Sequence, residues 1–439
     1  MTCRTRSSRR CGISRLAERD RGTVVAVVAG LLLALGVRVA YVFASRDYQP
    51  IYDAADYLRL GVSIAQGHGF GVTRYAAGGG PTALRPPLYP MFLAAVIKLT
   101  AGSQPAIRLA QAALGTVTVA ATALAAHLVW GRRVALVTLF AGALYAPLVL
   151  LGGAELSEWL SVMLQMCAVA AGLLSRRVPS RWAAAAAGAL AGLSILARPN
   201  SAAFLPALMV LATPPGAPAR PPRGRLVPAA LVLALCVLTL VPWTVRNVLV
   251  MGRLVPVTTQ AGYVMAGVYN SAARDDTQYP ASWRSPLTLP ATSAIYRDRA
   301  LREVQVDERQ RAVALDFIRA NPVYPLHVAA WNIAYMSGLR ADYLAASVRG
   351  EMALGDRSAV LAVVGFLPFA VVALAGAFTR RAREAPWSLW AVGILPVTAT
   401  MFLQGTARFR SPADPFIVVL AALALAAAGD WLRERGAGR

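Results

Sequence analysis

Two aspartates, Asp53 and Asp56, stand three residues apart in the stretch DAADYLRLGVSIAQ, residues 53–66. The stretch has helical character, so both carboxylates share one face, with Tyr57 beside them. A carboxylate is ionised at neutral pH and can take a proton from an attacking hydroxyl or amine, which is the task of a general base. Acids are also favoured at a helix N-terminus for electrostatic reasons alone. The residues by themselves leave both interpretations open.

Two further groups of ionisable residues bear on the same chemistry. Glu155 and Glu158 stand at the start of an apolar stretch, residues 156–174, where ionisable groups are costly and often functional. Stabilisation of the helix N-terminus is the alternative. Arg85 lies across a glycine-rich break from the aspartates and can bind a phosphate in bidentate fashion. Its alternative role is that of an interfacial arginine whose charged end reaches the headgroups.

The chain that must position these residues is strongly apolar. Of its 439 residues, 57% are hydrophobic and only 15% are charged, whereas a soluble protein has about a quarter charged residues. Several apolar runs reach the ~20 residues that cross a bilayer. The composition therefore predicts an all-α polytopic membrane protein. Ten spans are predicted near residues 23–45, 107–130, 134–151, 156–174, 182–197, 200–213, 226–243, 358–378, 387–404 and 414–429.

Basic residues predict how these spans are oriented. Arginine clusters alternate with the apolar runs, as in GRR (131–133), RPPRGR (220–225) and RRAR (380–383). Because cytoplasmic loops are enriched in Lys and Arg, ten spans place these clusters and both termini in the cytoplasm, with the protein in the inner or plasma membrane. The formal net charge of +23 then points to the anionic lipid bilayer as a partner and not to nucleic acid.

The predicted spans also set the domain organisation. The parts are a cytoplasmic basic tail (1–22), an N-terminal transmembrane module (23–243), an extracytoplasmic segment with interfacial helices (244–357), C-terminal transmembrane helices (358–429) and a cytoplasmic tail (430–439). The first outer loop, residues 46–106, carries Asp53 and Arg85 on or beside juxtamembrane helices. Residues 322–339 are apolar enough for an eleventh span, but that span would place RRAR outside. We expect them to lie along the interface, with Trp331 and Tyr335 near the headgroups.

Several arginines fall on the predicted outer face, against the usual distribution of positive charge. They are Arg85, Arg198, Arg246, Arg408 and Arg410. A set of guanidinium groups around an anionic lipid phosphate explains this exception. Anchoring at the membrane interface is the alternative for each of them.

Six stretches, in order along the chain, resemble those of bacterial polyprenyl-phosphate-dependent glycosyltransferases of the protein mannosyltransferase and aminoarabinose transferase superfamily, which have the GT-C fold. They are DAADYLRLGVSIAQGHGF (53–70), LRPPLYPMFLA (84–94), ELSEWLSVML (155–164), LARPN (196–200), VPWTVRNVLVMGRLVPVTTQAGYVMAGVYN (241–270) and ARFRSPADPFIVVLAALAL (407–425). No single stretch is specific by itself. Their shared order carries the resemblance.

The resemblance implies a GT-C-type bundle of about ten transmembrane helices. It also implies a reaction, in which a sugar passes from a polyprenyl-phosphate donor to an extracytoplasmic glycan, lipid or protein with inversion at the anomeric carbon. Asp53 is implied as the general base. Asp56 is the runner-up, with orientation of the acceptor or of Arg59 as its alternative role, and Glu158 either shares the catalytic role or binds the acceptor. The residues implied for the donor phosphate are Arg85, Arg246, Arg408 and Arg410, and those for the rest of the substrate are Tyr57, Glu155 and Asn247.

No cofactor is expected, since the chain has no Walker A motif and no G-x-G-x-x-G between a strand and a helix. Aminoarabinose transferases carry an acid before their Lys-Pro pair, where this chain has Leu84 before Arg85. The sequence therefore does not support a divalent metal, and no metal ligands are assigned. The alternative function is that of a transporter or flippase of lipid-linked sugars, although the paired repeats of many transporters are not visible here. The sugar and the acceptor stay undecided.

Overall fold

The computed structural model describes residues 5–71, 80–178, 180–215 and 222–437. Within these ranges every regular element is a helix, which confirms the predicted all-α architecture. The first half of the chain contains α1 (Thr5–Ala44), α2 (Tyr52–Ala65), α3 (Leu88–Thr100), α4 (Gln104–Trp130), α5 (Arg132–Leu144), α6 (Ala146–Leu151), α7 (Glu158–Arg177), α8 (Arg181–Ala197), a 3-10 helix (Pro199–Phe204), α9 (Leu205–Ala212) and α10 (Pro222–Met251). The second half contains α11 (Ala261–Val268), α12 (Ser271–Arg274), α13 (Pro290–Arg297), α14 (Glu303–Ala320), α15 (Tyr324–Met336), α16 (Ala341–Gly350), α17 (Asp356–Ala377), α18 (Arg380–Glu384), α19 (Trp387–Met401), a 3-10 helix (Ala407–Arg410) and α20 (Asp414–Ala437).

Among the described residues, six helices are long and apolar enough to cross a membrane. They are Arg21–Ala44, Gln104–Trp130, Glu158–Arg177, Leu226–Met251, Asp356–Ala377 and Asp414–Gly436. All six overlap predicted spans, and the chain is a multi-pass membrane protein. The other four predicted spans are also helical but shorter. One of them, residues 134–151, is divided into α5 and α6 at Tyr145, whose backbone is extended, and Pro147 occupies the first turn of α6.

The helix α7 is the centre of the bundle. In its most apolar stretch 78% of the residues are buried, against 17% in α1 and 11% in α10. Next to it, α8 packs against α7 and α10 through alanines such as Ala187 and Ala191, which are fully buried. At Gly188 the backbones of α8 and α10 are so close that a Cβ would lie 2.3 Å from the Val232 carbonyl oxygen. Small residues thus allow the close helix contact on which association within a membrane depends.

The helices α2 and α3 of the first outer loop cover one end of this bundle. Tyr57 of α2 and Leu93 of α3 pack in one cluster with Leu160 of α7. Gly61 permits the approach of α2 to α3, since a Cβ there would lie 2.8 Å from that of Leu93. The Tyr57 hydroxyl also hydrogen-bonds the Ser157 hydroxyl at 3.1 Å. The N-terminal turn of α2 therefore lies beside the N-terminus of α7.

The second outer segment forms the helices from α11 to α16. In residues 297–322 charged residues alternate with apolar ones at helical spacing, which predicts a surface helix, and the longest helix of the segment, α14, lies there. The thirteen-residue α15 lies within residues 322–339 and is too short to be an eleventh span, as expected. The expectation that Tyr335 lies at the headgroups is wrong. Tyr335 is fully buried, donates its hydroxyl to the Pro280 carbonyl at 2.8 Å and stacks on Tyr343 with ring centroids 3.8 Å apart.

Candidate active site

A cavity of about 1070 Å³ lies where the first outer loop, the second outer segment and the ends of α8 and α19 meet. Five charged side chains line it in the part of the chain that the structure describes, and together they are here called the charged pole. They are Asp53, Arg85, Arg198, Glu351 and Arg408. The charged pole thus has three guanidinium groups and two carboxylates on the cavity surface, and two further carboxylates pair with its arginines from behind the cavity wall.

Asp53 enters this cavity from the first turn of α2. Tyr52, immediately before it, has a φ of 46°, in the left-handed region that is unfavourable for a residue with a Cβ. Both residues line the cavity. Backbone strain of this kind is concentrated at functional sites, and here it belongs to the turn that carries Asp53.

Two guanidinium groups hold the Asp53 carboxylate. Arg85 Nη2 lies 2.6 Å from Oδ1, and Arg408 Nη2 lies 2.9 Å from Oδ2. Burial raises the pKa of Asp53, but attraction to the charges of Arg85 and Arg408 outweighs burial and brings the pKa well below its ordinary value. Asp53 is therefore ionised at neutral pH, and 27% of its side chain remains exposed.

Asp56 shares the helix face of Asp53, as predicted, but has different surroundings. Its side chain is fully buried, with Oδ2 3.1 Å from Arg85 Nη2 and Oδ1 2.8 Å from Arg59 Nη2. Burial raises the pKa of Asp56, and the nearby guanidinium groups of Arg85 and Arg59 offset this only in part. Asp56 is not among the cavity-lining residues, so it acts on the site by fixing Arg85.

Arg408 joins three carboxylates. Besides the contact with Asp53, its Nη1 lies 3.4 Å from Glu158 Oε1 and its Nε lies 3.2 Å from Glu351 Oε2. Glu158 is 1% exposed and pairs with Arg198 Nη1 at 2.5 Å. Buried guanidinium groups need such counter-charges because an unpaired buried charge is strongly destabilising. Glu158, predicted to share the catalytic role, thus lies behind the cavity wall and positions two of its arginines.

Tyr57, predicted to bind substrate, does line the cavity. The Arg85 guanidinium lies 5.3 Å from the centroid of its ring, a distance at which a cation is attracted to an aromatic face. The ring therefore helps to fix Arg85 through a cation–π contact. Tyr57 is at once part of the cavity wall and a support for one of its arginines.

Arg246 and Asn247, predicted to bind phosphate and substrate, hold loops instead. Arg246 Nη1 donates to the Thr82 carbonyl at 2.8 Å, and its guanidinium lies 4.7 Å from the Trp243 ring. Asn247 is fully buried and donates from Nδ2 to the Val255 carbonyl at 3.0 Å. Buried backbone carbonyls require such donors. Neither residue is part of the cavity lining.

Arg410 and Glu155 also lie outside the cavity lining. Arg410 pairs with Asp414 at 2.8 Å and donates to the Met336 carbonyl at 2.6 Å, which joins the second 3-10 helix to α15 and α20. Glu155 is fully buried, and its backbone N–H donates to the Tyr48 hydroxyl at 3.0 Å. Burial raises the pKa of the Glu155 carboxyl to about 7. Of the four predicted phosphate ligands, the cavity thus receives only Arg85 and Arg408.

Glu351 is a site residue that the sequence does not reveal. It caps the C-terminus of α16, and nothing in the surrounding residues distinguishes it from an ordinary surface glutamate. Its place in the site depends on Arg408, which lies far away in the chain. Arg198 is visible in the sequence only as one of several outer arginines. Glu351 and Arg198 both enter the site through ion pairs with residues that are distant in the chain.

The carboxylates of the site belong to one arginine–carboxylate network. Asp53, Asp56, Glu158 and Glu351 each lie within 3.2 Å of a guanidinium nitrogen. Among the residues that the structure describes, no group of three or more His, Cys, Asp or Glu side chains is placed to hold a metal ion. The charge of each carboxylate is balanced by arginine.

Glu303, at the start of α14, fixes the segment that leads to Arg85. Its carboxylate accepts hydrogen bonds from the Thr82 hydroxyl at 2.6 Å and from the Ala83 backbone N–H at 2.9 Å. It also accepts from the Thr259 hydroxyl, and the Thr259 N–H donates to the Ala83 carbonyl at 3.1 Å. The second outer segment therefore positions a residue of the first. No local sequence pattern predicts this contact.

One turn later in α14, the carboxylate of Asp307 fixes the helix α11 in the same way, by accepting a backbone hydrogen bond. Its Oδ1 accepts from the Gly262 N–H at 2.5 Å, and its Oδ2 pairs with Arg311. At Gly262 a Cβ would lie 2.0 Å from the Asp307 carbonyl oxygen, so only glycine allows the approach. Residues 303 and 307 lie on one face of α14. Through them α14 positions the segment that leads to Arg85 and the helix α11, which both contribute to the cavity wall.

We expect Glu303→Gln to loosen the segment that carries Arg85. The amide can accept fewer of the three hydrogen bonds, and a buried donor without an acceptor costs ~1–3 kcal/mol. Hydrogen exchange in residues 80–88 should become about tenfold faster, while exchange in α7 should not change. Glu308→Gln, at an exposed position of the same helix, is the control. Unchanged exchange in residues 80–88 of the Glu303→Gln variant would contradict the role of Glu303.

Comparison with known proteins gives the fold. No protein-family model and no curated protein matches the chain. Among solved structures, the oligosaccharyltransferase AglB from Archaeoglobus fulgidus, in complex with an inhibitory peptide and a dolichol-phosphate, has a TM-score of 0.55 at 15% identity, over 95% of this chain and 52% of that one. The apo form of the Archaeoglobus fulgidus oligosaccharyltransferase has a TM-score of 0.53 at 17% identity, over 94% and 51%.

ArnT from Cupriavidus metallidurans, bound to undecaprenyl phosphate, is also similar, with a TM-score of 0.42 at 16% identity over 92% of this chain and 78% of that one. The chain spans about half the length of the oligosaccharyltransferase structures. Identities of this size establish a shared fold and nothing finer. The chain therefore has the GT-C fold, the fold of the glycosyltransferases that its six sequence stretches resemble.

Proposed function

We propose that the protein is a membrane glycosyltransferase that moves a sugar from a polyprenyl-phosphate donor to an acceptor hydroxyl or amine, with Asp53 as the general base. The observation that carries this proposal is an ionised carboxylate that faces a large cavity between Arg85 and Arg408. The fold supports it, because AglB, which has the same fold, is seen in complex with a dolichol-phosphate and an inhibitory peptide.

In this proposal the charged pole binds the donor phosphate. Its three guanidinium groups line the cavity and can bind a sugar phosphodiester, which carries a single negative charge. Arg85 and Arg408 bind the phosphate oxygens, since planar guanidinium groups bond phosphate in bidentate fashion. Negative charge on the phosphate grows as the sugar departs, so fixed cations beside it stabilise the transition state more than the bound donor.

Donor binding also prepares the base. Asp53 is held by the same two guanidinium groups that the phosphate requires, and this pairing makes it a weak base. A bound phosphate gives Arg85 and Arg408 a second anionic partner and adds a like charge next to Asp53. Both effects raise the pKa of Asp53 towards the range in which a general base is effective.

The transfer itself is a single displacement. The acceptor oxygen or nitrogen attacks the anomeric carbon while Asp53 takes its proton. The bond from that carbon to the phosphate oxygen breaks, and polyprenyl phosphate leaves with the electron pair. One displacement inverts the anomeric configuration, whereas retention requires a second carboxylate as nucleophile. Asp56 and Glu158 are buried behind the arginines, and Glu351, the second carboxylate of the cavity lining, is paired with Arg408, which favours the single step.

We further propose that the cavity faces the extracytoplasmic side of the inner or plasma membrane and that both termini are cytoplasmic. The helix α7 supports this orientation. Glu158 begins it beside the charged pole, and Arg176 and Arg177 end it. Basic residues favour the cytoplasmic side, so the opposite end of α7, with the cavity, lies outside.

We expect Asp53→Asn to reduce transfer by roughly 10²–10⁴-fold, because the amide cannot take a proton. The chain is purified in lipid nanodiscs and supplied with a panel of undecaprenyl-phosphate monosaccharides and with envelope extract as the acceptor source. Release of undecaprenyl phosphate is measured by mass spectrometry. Asp47→Asn, at an exposed position shortly before α2, is the control. Equal release by the Asp53→Asn variant would exclude Asp53 as the base, and no release from any donor by the unaltered protein would exclude the transferase.

The orientation is tested by cysteines placed one at a time at positions 275 and 178, after Cys3 and Cys11 have been replaced. Both positions are exposed, with Asp275 on the second outer segment and Val178 after α7. In intact cells an impermeant thiol reagent should label position 275 and leave position 178 unlabelled. Both should react once the cells are opened. Labelling of position 178 alone in intact cells would reverse the orientation.

A further inference from the structure

The wall of the cavity contributed by residues 258–288 differs in character from the charged pole. The polar and aromatic residues that line it there, here called the neutral wall, are Thr258, Gln260, Tyr263, Trp283, Ser285 and Thr288. Apolar residues, among them Val264, Met265 and Leu287, line the cavity between them. None of the described cavity-lining residues between positions 258 and 288 carries a charge. Arg284, which lies within this stretch, is not a lining residue and is paired with Asp276.

Trp283 is a fixed aromatic surface within the neutral wall. Its indole packs on Gly267, where a Cβ would lie 2.0 Å from the ring nitrogen. The next residue donates its backbone N–H to the Gly267 carbonyl at 2.7 Å, which ties the Trp283 segment to α11. The rings of Trp283 and Tyr263 are 5.4 Å apart and inclined by 53°. Two rings held at such an angle form a corner for a flat ligand with an apolar face.

The polar side chains of the neutral wall are hydroxyls and an amide. Thr258, Gln260, Ser285 and Thr288 each donate and accept hydrogen bonds without charge. A ring with a C–H face and with hydroxyls around its edge would contact the aromatic pair through the face and hydrogen-bond the polar side chains through the hydroxyls. The Thr288 hydroxyl already donates to the Ser285 carbonyl at 2.9 Å. A lipid tail would leave the polar side chains of Thr258, Gln260 and Ser285 without hydrogen-bond partners, and a charged peptide would find no counter-charge on this wall. A neutral sugar ring meets all these requirements.

The size of the cavity leaves room for such a ring beside the donor. Pockets of ~300–1,000 Å³ hold a drug-sized ligand, and this cavity has about 1070 Å³. The phosphate and its sugar occupy the part next to the charged pole. The neutral wall lies on the second outer segment, whereas Asp53 and Arg85 lie on the first.

We propose that the neutral wall is the acceptor site and that it binds an uncharged sugar ring, so that the protein extends a glycan or glycolipid. This inference rests on the proposed function, because it names the acceptor of that same reaction. Trp283 supplies the stacking surface, and the hydroxyls and amide around it orient the ring. Asp53 then takes the proton of one sugar hydroxyl.

The proposal is tested by direct binding, without donor and without turnover. Saturation-transfer NMR is recorded on the chain in nanodiscs with neutral methyl glycosides of common hexoses and pentoses, and with serine- and threonine-containing peptides. We expect ring-proton signals from at least one glycoside and none from the peptides. Trp283→Ala should weaken the apparent affinity about tenfold or more, the loss expected for one buried aromatic contact, and Trp283→Phe should weaken it less.

Trp182→Ala is the control, since Trp182 is 86% exposed and is not part of the cavity lining. Glycoside signals that are equal in the unaltered protein and the Trp283→Ala variant would overturn the neutral wall as the site. Peptide signals that Trp283→Ala abolishes, in the absence of glycoside signals, would replace the sugar by a peptide acceptor. Because no donor is present, these results do not depend on whether Asp53 is the base. Donor turnover with no glycoside binding would overturn this inference alone.

Discussion

The ion pairs of Asp53 with Arg85 and Arg408 are the interaction on which the rest of the site depends. They join residues 53, 85 and 408, three segments that are distant in the chain. Charges buried at the end of an apolar bundle are stable only when they are paired. Each surrounding element therefore supplies a counter-charge, Glu158 from α7 and Glu351 from the end of α16. The bundle is held together at this end by the groups that we propose to do the chemistry.

The same ion pairs set the basicity of Asp53. Arg85 and Arg408 neutralise Asp53 and lower its pKa, so the carboxylate is available but weakly basic. In the proposed mechanism, an anionic donor competes for those guanidinium groups. In this account the phosphate that brings the sugar also relieves the base of its partners, and proton transfer is coupled to the presence of donor. Asp56, fully buried under Arg85, keeps that arginine in place during the exchange.

Much of the fold and part of the candidate site could be predicted from local sequence. Apolar runs predicted the helices, and the helical spacing placed Asp53 and Asp56 on one face. The sequence could not separate arginines that face a cavity from those that satisfy carbonyls, and so Arg246 and Arg410 were predicted with Arg85 and Arg408. Whether a buried arginine donates to a backbone carbonyl depends on the tertiary structure, which local sequence patterns do not contain. For the same reason the site roles of Glu303 and Glu351, whose partners lie far away in the chain, have no signal in the sequence.

The most direct test of the central claim is the affinity of undecaprenyl phosphate for the chain with and without the Asp53 charge. If Asp53 and the lipid phosphate compete for Arg85 and Arg408, Asp53→Asn should bind undecaprenyl phosphate about tenfold more tightly than the unaltered protein. Arg85→Gln should bind it more weakly, and Asp47→Asn should bind it equally. Binding is measured in nanodiscs by native mass spectrometry. Equal or weaker binding by a folded Asp53→Asn variant would contradict the account.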